Sequence, residues 1–240
     1  MSVQRTIEAH ELHSEILGEE RTVKVYLPPG YDPQVAYPVL YCHDGLEFFT
    51  HGRVATLVQE LIVEQAVRPV LIVGIAVHLK ERNNDYAMNG SRHEKYCQFV
   101  IEECIPFIED HYSVRPEERS MAGISLGAVA TLSLVLQNPG FFRHLMLFSG
   151  AYFPYVQESL RMVADLSAYR AYMVVGSDEW KAETPGGTFD FLTYNRQMRD
   201  LLLERGMDVD YREEPGNHVW GFWQRLLPNG LRWWQGVSEQ

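Results

Sequence analysis

Cysteine is scarce in this chain. Its 240 residues hold three, Cys42, Cys97 and Cys104, an odd number with no C-x-x-C spacing. Neither a disulfide framework nor a thiolate zinc site is therefore expected. Basic charge is short as well: 21 Lys and Arg face 32 Asp and Glu, a formal net charge of -11. A polyanion would meet net repulsion that no basic stripe offsets, which argues against nucleic acid and an anionic membrane as partners. Long apolar runs are missing too. The stretches at 69–77 and 128–136 are too short to span a bilayer, and residues 1–10 lack the apolar segment of a secretory leader. Together these absences predict a cytoplasmic protein with reduced thiols. No repeat, low-complexity tract or linker interrupts the chain, and its length fits a single domain over 1–240.

What is present points to a layered α/β architecture. Apolar residues make up 46% of the chain and charged residues 22%, enough for a sizeable core. Residues 21–27 (RTVKVYL) alternate at period two and stop at Pro28-Pro29-Gly30, as a half-exposed strand does. The segment 7–17 can pair with it as an antiparallel hairpin at the sheet edge. Residues 38–42 (PVLYC), 69–76 (PVLIVGIA), 144–149 (HLMLFS) and 171–176 (AYMVVG) are continuous apolar runs, the pattern of strands buried on both faces. Helices are expected at 54–65, at 94–111 with a kink or break at Pro106, at 189–204 and at 218–234. A last strand is expected at 209–213. This alternation predicts a mostly parallel, doubly wound sheet flanked by helices, with ligands at the carboxyl ends of its strands.

The strongest local signal is Gly123-Ile124-Ser125-Leu126-Gly127, a G-x-S-x-G sequence set between a strand, 119–124, and a helix-forming stretch, 125–137. A nucleophilic hydroxyl must stand clear of the sheet on a strained strand-to-helix turn, and the glycines leave room for that turn. The plain alternative is a serine that merely caps a helix in a glycine-rich turn. A nucleophile needs a base, and only His144 and His218 follow Ser125. His144 opens a buried strand at the wrong end. His218 lies in Pro215-Gly216-Asn217-His218, just past the last strand, and is the expected base. The acid should follow the next-to-last parallel strand, where Asp178 comes first, with Glu179 beside it and Asp190 further on. Asp178 is the expected acid because it is nearest the strand end. The oxyanion donors should be the backbone N–H of Leu126 and that of Leu46, in the loop after 39–42.

Other candidates carry less. Cys42-His43-Asp44 resembles a second nucleophilic set, but neighbours on a strand face opposite ways. Cys42 is expected in the core, and His43 at the pocket. His10 and His13 lack further ligands, and neither a metal nor a cofactor is expected. Aromatic side chains gather in the loops on the catalytic side, among them Phe48, Tyr86, Tyr152, Phe153, Trp180 and Trp220. Tyr152, Trp180 and Trp220 are the expected walls of a substrate pocket.

The segments RTVKVYLPPGYDP, YPVLYCHDGLEFF, RSMAGISLGAVATL, VVGSDEW and EPGNHVWGFW, which run over nearly the whole chain, resemble the esterases related to esterase D. That family includes S-formylglutathione hydrolases, feruloyl esterases, mycolyltransferases and hydrolases of trilactone siderophores. The resemblance implies an α/β-hydrolase fold without a large cap domain, nucleophile Ser125, acid Asp178, base His218, and oxyanion N–H groups from Leu46 and Leu126. It also implies that Arg82 and Asp85, in KERNNDY, lie near the site mouth, with Arg82 a substrate contact. The expected activity is serine-dependent hydrolysis of a small carboxylic ester through an acyl-enzyme. Acyl transfer or thioester hydrolysis on the same residues is the alternative, and a non-catalytic binding protein on the same fold is a third reading. The aromatic carboxyl-terminal helix could serve a homo-oligomer.

Overall fold

A computed structural model describes residues 5–237. Its centre is an eight-stranded sheet in the order β1-β2-β4-β3-β5-β6-β7-β10. The edge is the expected hairpin: β1 (Thr6–Ser14) pairs antiparallel with β2 (Glu19–Leu27), and β2 pairs antiparallel with β4 (Leu71–Ile75). All remaining pairs are parallel, through β3 (Tyr37–Cys42), β5 (Val114–Ile124), β6 (His144–Phe148), β7 (Arg170–Gly176) and β10 (Asp208–Glu214). This is an α/β-hydrolase fold, a mostly parallel sheet flanked by helices.

The continuous apolar runs resolve into two cores because successive strand residues face opposite sides. Val39, Tyr41, Met121, Leu145, Leu147 and Met173 pack on one face, under α6 (Leu126–Gln137), α7 (Pro154–Arg161) and α8 (Phe191–Glu204). Leu40, Cys42, Ala122, Ile124, Met146, Phe148 and Val174 pack on the other, under α1 (Gly45–Thr50), α2 (Val54–Val63) and α9 (Trp220–Trp234). Fully burying one such side chain contributes about 1.5–3 kcal/mol, so both layers are held to the sheet along its length. Cys42, Cys97 and Cys104 are buried and unpaired. No helix among the described residues is long and apolar enough to cross a membrane.

The chain departs from the sequence expectation in several places. The helix expected over 94–111 is divided into α4 (His93–Gln98), a π-helical turn (Phe99–Cys104) and α5 (Ile105–His111). The wide turn precedes Pro106, which sits in the first turn of α5, where its missing N–H costs no helix bond. Strand β5 begins at Val114 rather than near 119. Its first residues, Val114-Arg115-Pro116-Glu117-Glu118, include three charged side chains and none that is buried, so they lack an apolar strand pattern. A short helix, α3 (Arg82–Tyr86), and a small hairpin, β8 (Ala182–Thr184) with β9 (Gly187–Phe189), are not among the expected elements, and β9 takes Phe189 from the start of the helix expected at 189–204, which begins at Phe191.

Candidate active site

The strand order reverses at β3, which has β4 on one side and β5 on the other. A crevice opens where connections leave such a point in opposite directions. Here that crevice holds a cavity of about 660 Å³ lined by Asp44, Arg82, Ser125, Leu126, Phe153, Phe189, Phe191, His218, Trp220 and Trp223, among others.

Ser125 stands on the turn between β5 and α6 with φ 56 and ψ -118, a conformation costly for a residue with a Cβ. The surroundings enforce it. Ser125 N–H donates to the Phe148 carbonyl at 2.9 Å, and the Ser125 carbonyl accepts from Ala151 N–H at 3.1 Å. Gly123 makes the turn possible, because a Cβ there would lie 2.2 Å from the Gly127 carbonyl carbon. Helix α6 starts directly after, and the Ser125 side chain does not cap it. The hydroxyl is free to meet His218, whose Nε2 is 3.1 Å from Ser125 Oγ.

His218 is fixed from three sides. Phe191 stacks on the imidazole with ring centroids 4.1 Å apart and 13° between planes. Trp223 meets it edge-on at 4.9 Å. Its Nδ1 lies 2.7 Å from Glu179 Oε2.

The carboxylate on His218 is therefore that of Glu179 and not that of Asp178, a correction to the sequence expectation. Asp178 is exposed, and its N–H donates to the Gly216 carbonyl as the chain turns into a 3-10 segment, Glu179–Lys181. That turn points the next residue inward. Glu179 is fully buried, and its Oε1 accepts from Ser149 Oγ at 2.6 Å and from Gly176 N–H at 2.8 Å. Ser149 Oγ in turn accepts from Trp223 Nε1 at 2.8 Å. Gly176 keeps the turn tight, because a Cβ there would lie 2.2 Å from the Gly216 carbonyl oxygen. Proximity to the strand end is a poor guide inside such a turn: the first acid is spent on the turn itself, and the second, longer by one methylene, reaches the histidine.

The other expected site residues separate into those at the cavity and those behind it. Leu126 and Trp220 line the cavity. Leu46 is the second residue of α1, between Gly45 and the cavity-lining Glu47. Arg82 also lines the cavity, but its guanidinium is engaged: Nε and Nη2 donate to the two carboxylate oxygens of Asp44 at 2.6 and 2.7 Å. Burial alone would lower the Arg82 pKa; the paired Asp44 outweighs it and the net shift is upward. Asp85, expected beside Arg82, is instead fully buried in ion pairs with Arg21 and Arg92, at 2.6 and 2.8 Å.

His43 and Tyr152 do not reach the cavity and are corrected. His43 is fully buried, 2.7 Å from Tyr96 Oη through Nδ1, and its pKa is lowered to about 3 by burial and then by the nearby Arg82 and His93. It points away because it continues the alternation of β3, on the face opposite Cys42. Tyr152 is fully buried, and its neighbour Phe153 lines the cavity in its place. Trp180 is 62% exposed and outside the cavity lining, since the 3-10 turn that brings Glu179 inward carries it outward.

Sequence reading missed Ser149, Phe191, Trp223 and the β8–β9 hairpin. The hairpin supplies Glu183, Thr184, Pro185 and Gly186 to one wall. Phe191 and Trp223 fall within stretches expected to be helical, with no motif to mark them, and both are buried. Ser149 ends a strand and carries no motif.

Comparison with known proteins identifies the family and the fold. The family described as "Putative esterase" matches residues 14–234. An uncharacterized protein of Bacillus subtilis, YjcH, is 31% identical over 95% of this chain and 96% of its own. An acetyl esterase of Caldicellulosiruptor saccharolyticus is 24% identical over 80% of this chain and 84% of its own. The solved structure of a ferulic acid esterase superposes with a TM-score of 0.83 at 20% identity, covering 98% of this chain and 99% of that one.

Proposed function

The chain belongs to the "Putative esterase" family and is a hydrolase acting on esters, and from that premise we propose a serine-dependent carboxylic-ester hydrolase that works through an acyl-enzyme with Ser125, His218 and Glu179. The observation that carries the reading is the continuous line of hydrogen bonds from Ser125 Oγ through the His218 ring to Glu179.

In the proposed reaction Ser125 Oγ bonds to the ester carbonyl carbon while its proton passes to His218 Nε2. Negative charge collects on the carbonyl oxygen, where the backbone N–H groups of Leu126 and Leu46 receive it. Collapse breaks the carbon–oxygen bond to the alcohol, which leaves with the proton held on His218. Water then repeats the sequence on the acyl-serine and releases the acid. Glu179 accepts from Nδ1–H, keeps the imidazole in the useful tautomer, and offsets the positive charge of the imidazolium. Neutral donors hold it in place, so its negative charge is left for that purpose. The aromatic cavity suits a small ester with an apolar acyl or alcohol group, in line with the acetyl and feruloyl activities named among the relatives. Cytoplasmic residence belongs to the same reading and is supported by three buried, unpaired thiols.

The test is hydrolysis of p-nitrophenyl acetate and butyrate by the wild type, Ser125→Ala and His218→Ala, with fluorophosphonate labelling alongside. Loss of roughly a thousandfold or more in both variants is expected, with labelling abolished in Ser125→Ala. An inactive wild type, or a Ser125→Ala protein that keeps its rate, would sink the reading. Product analysis with added alcohol separates water from another acyl acceptor.

A further inference from the structure

Asp44 combines several unusual features. It sits immediately before α1 with φ 53 and ψ 45, the left-handed conformation, and it is almost fully buried. An aspartate at this position ordinarily turns its carboxylate onto the N–H two or three residues ahead, which here means Leu46 or Glu47. Asp44 makes no such bond. Its two oxygens are taken by Arg82, reaching over from α3, and its own N–H donates to Tyr86 Oη at 2.8 Å, from the other end of the same short helix.

Arg82 and Tyr86 thus hold one residue by its side chain and by its backbone. Both anchors are firm. The Arg82 guanidinium lies over the Tyr86 ring, 5.1 Å from its centroid, and Nη2 also donates to the Ile124 carbonyl at 3.4 Å, one residue before the nucleophile. Tyr86 is fully buried and hydrogen-bonded to Tyr96, which is 2.7 Å from His43 Nδ1. Asp85, between the two anchors, locks α3 to β2 and α4 through Arg21 and Arg92. A carboxylate oxygen of Asp44 would lie 3.3 Å from a Cβ placed on Gly127, so the tethered group abuts the first turn of α6.

We propose that Arg82 and Tyr86 are positioning residues of the oxyanion site: they keep Asp44 left-handed and its carboxylate off its own helix, so that the Leu46 N–H stays open for the developing oxyanion. The inference rests on the esterase reading given above. Without the guanidinium fork, the carboxylate would fall back onto the first-turn N–H groups and compete for the donor that the transition state requires. Arg82 then serves catalysis without touching substrate, although it lines the cavity.

The test uses p-nitrophenyl butyrate, which carries no charged group for Arg82 to bind, with rates expressed per site titrated by fluorophosphonate. Arg82→Met should lose about 10- to 100-fold in kcat with KM changed by no more than about threefold, since removing one oxyanion donor costs up to a thousandfold. Affinity for a phenylboronic acid, which forms a tetrahedral adduct on Ser125, should fall in parallel. The double variant Arg82→Met/Asp44→Gly removes the competing carboxylate and lets glycine adopt the left-handed backbone unstrained, so it should recover about tenfold or more of kcat. If Arg82→Met does not fold, Arg82→Lys and Tyr86→Phe replace it, with kcat and boronate affinity again expected to fall together. A kcat within about twofold of wild type per titrated site overturns the proposal, since the losses attached to one donor are far larger. So does a double variant no faster than the single one, or a loss confined to KM or to melting temperature. A wild type without turnover or labelling defeats the esterase reading itself, and the inference falls with it.

Discussion

Asp44 and Glu179 are both buried carboxylates within reach of the nucleophile turn, yet their partners differ in kind. Asp44 is met by a guanidinium, so its charge is matched where it stands. Glu179 is met by a hydroxyl, a backbone N–H and an imidazole, none of them a permanent cation. The first arrangement fixes a piece of backbone. In the proposed reaction the second leaves a negative charge to face the proton that His218 would take up. A matched carboxylate would be a poor stabiliser of an imidazolium, and an unmatched one would be a costly way to anchor a loop. The histidines follow the same division. His43, on the Asp44 side, is buried near Arg82 and held neutral, with its pKa pushed down to about 3. His218 faces Glu179.

The largest effect should come from removing charge at Glu179. Glu179→Gln is expected to lower kcat for p-nitrophenyl butyrate by roughly a thousand- to ten-thousandfold, because the amide cannot support the required tautomer and positive charge. Asp178→Asn should stay within about twofold of wild type, as an exposed residue away from special features usually does. The reverse pattern would make Asp178 the acid and dissolve the contrast. Asp44→Asn, the same exchange on the matched carboxylate, should cost far less rate and show more in the urea midpoint.

Ser149→Ala comes next. It removes a hydrogen bond to an ionised carboxylate, and such bonds contribute about 1.5–3 kcal/mol. A loss of about tenfold or more in kcat is expected, with Trp223 left without its acceptor. An unchanged rate would mean that Gly176 and His218 alone fix Glu179.

The smallest effect concerns pH and stability. The folded His43 pKa, about 3, lies below the ordinary 6.5. Its contribution is therefore complete above pH 6.5 and is lost as pH falls toward 3, where the unfolded chain binds a proton that the folded one refuses. One such proton makes unfolding free energy fall by up to about 1.4 kcal/mol per pH unit. His43→Gln should flatten the decline between pH 6 and 4 in urea titrations. Equal slopes would show that His43 is not held neutral.

Most of the sheet could be read from the chain because burial on two faces leaves continuous apolar runs, as in Leu71–Ile75 and His144–Phe148. The start of β5 could not, since Pro116, Glu117 and Glu118 lie where one side is open to solvent and no apolar pattern is needed. Short helices such as α3 bury few residues and leave little periodicity. At the site, aromatic composition suggested a cavity wall but not its members: of the expected Tyr152, Trp180 and Trp220, one lines it.

The sequence by itself determined the turn at Ser125. Backbone sterics there act within five residues, so Gly123 and Gly127 announce the geometry. It also placed His218, because a loop leaving the last parallel strand has one side on which to emerge. Only the tertiary structure decided between Asp178 and Glu179 and gave Arg82 its partner. In an irregular turn a side chain's direction follows from what receives it, and those receivers, Ser149 and His218 for Glu179 and Asp44 for Arg82, lie 30, 39 and 38 residues away in sequence. Adjacent carboxylates are chemically alike to a reader of the chain; a fold tells them apart by the donors it aims at one of them.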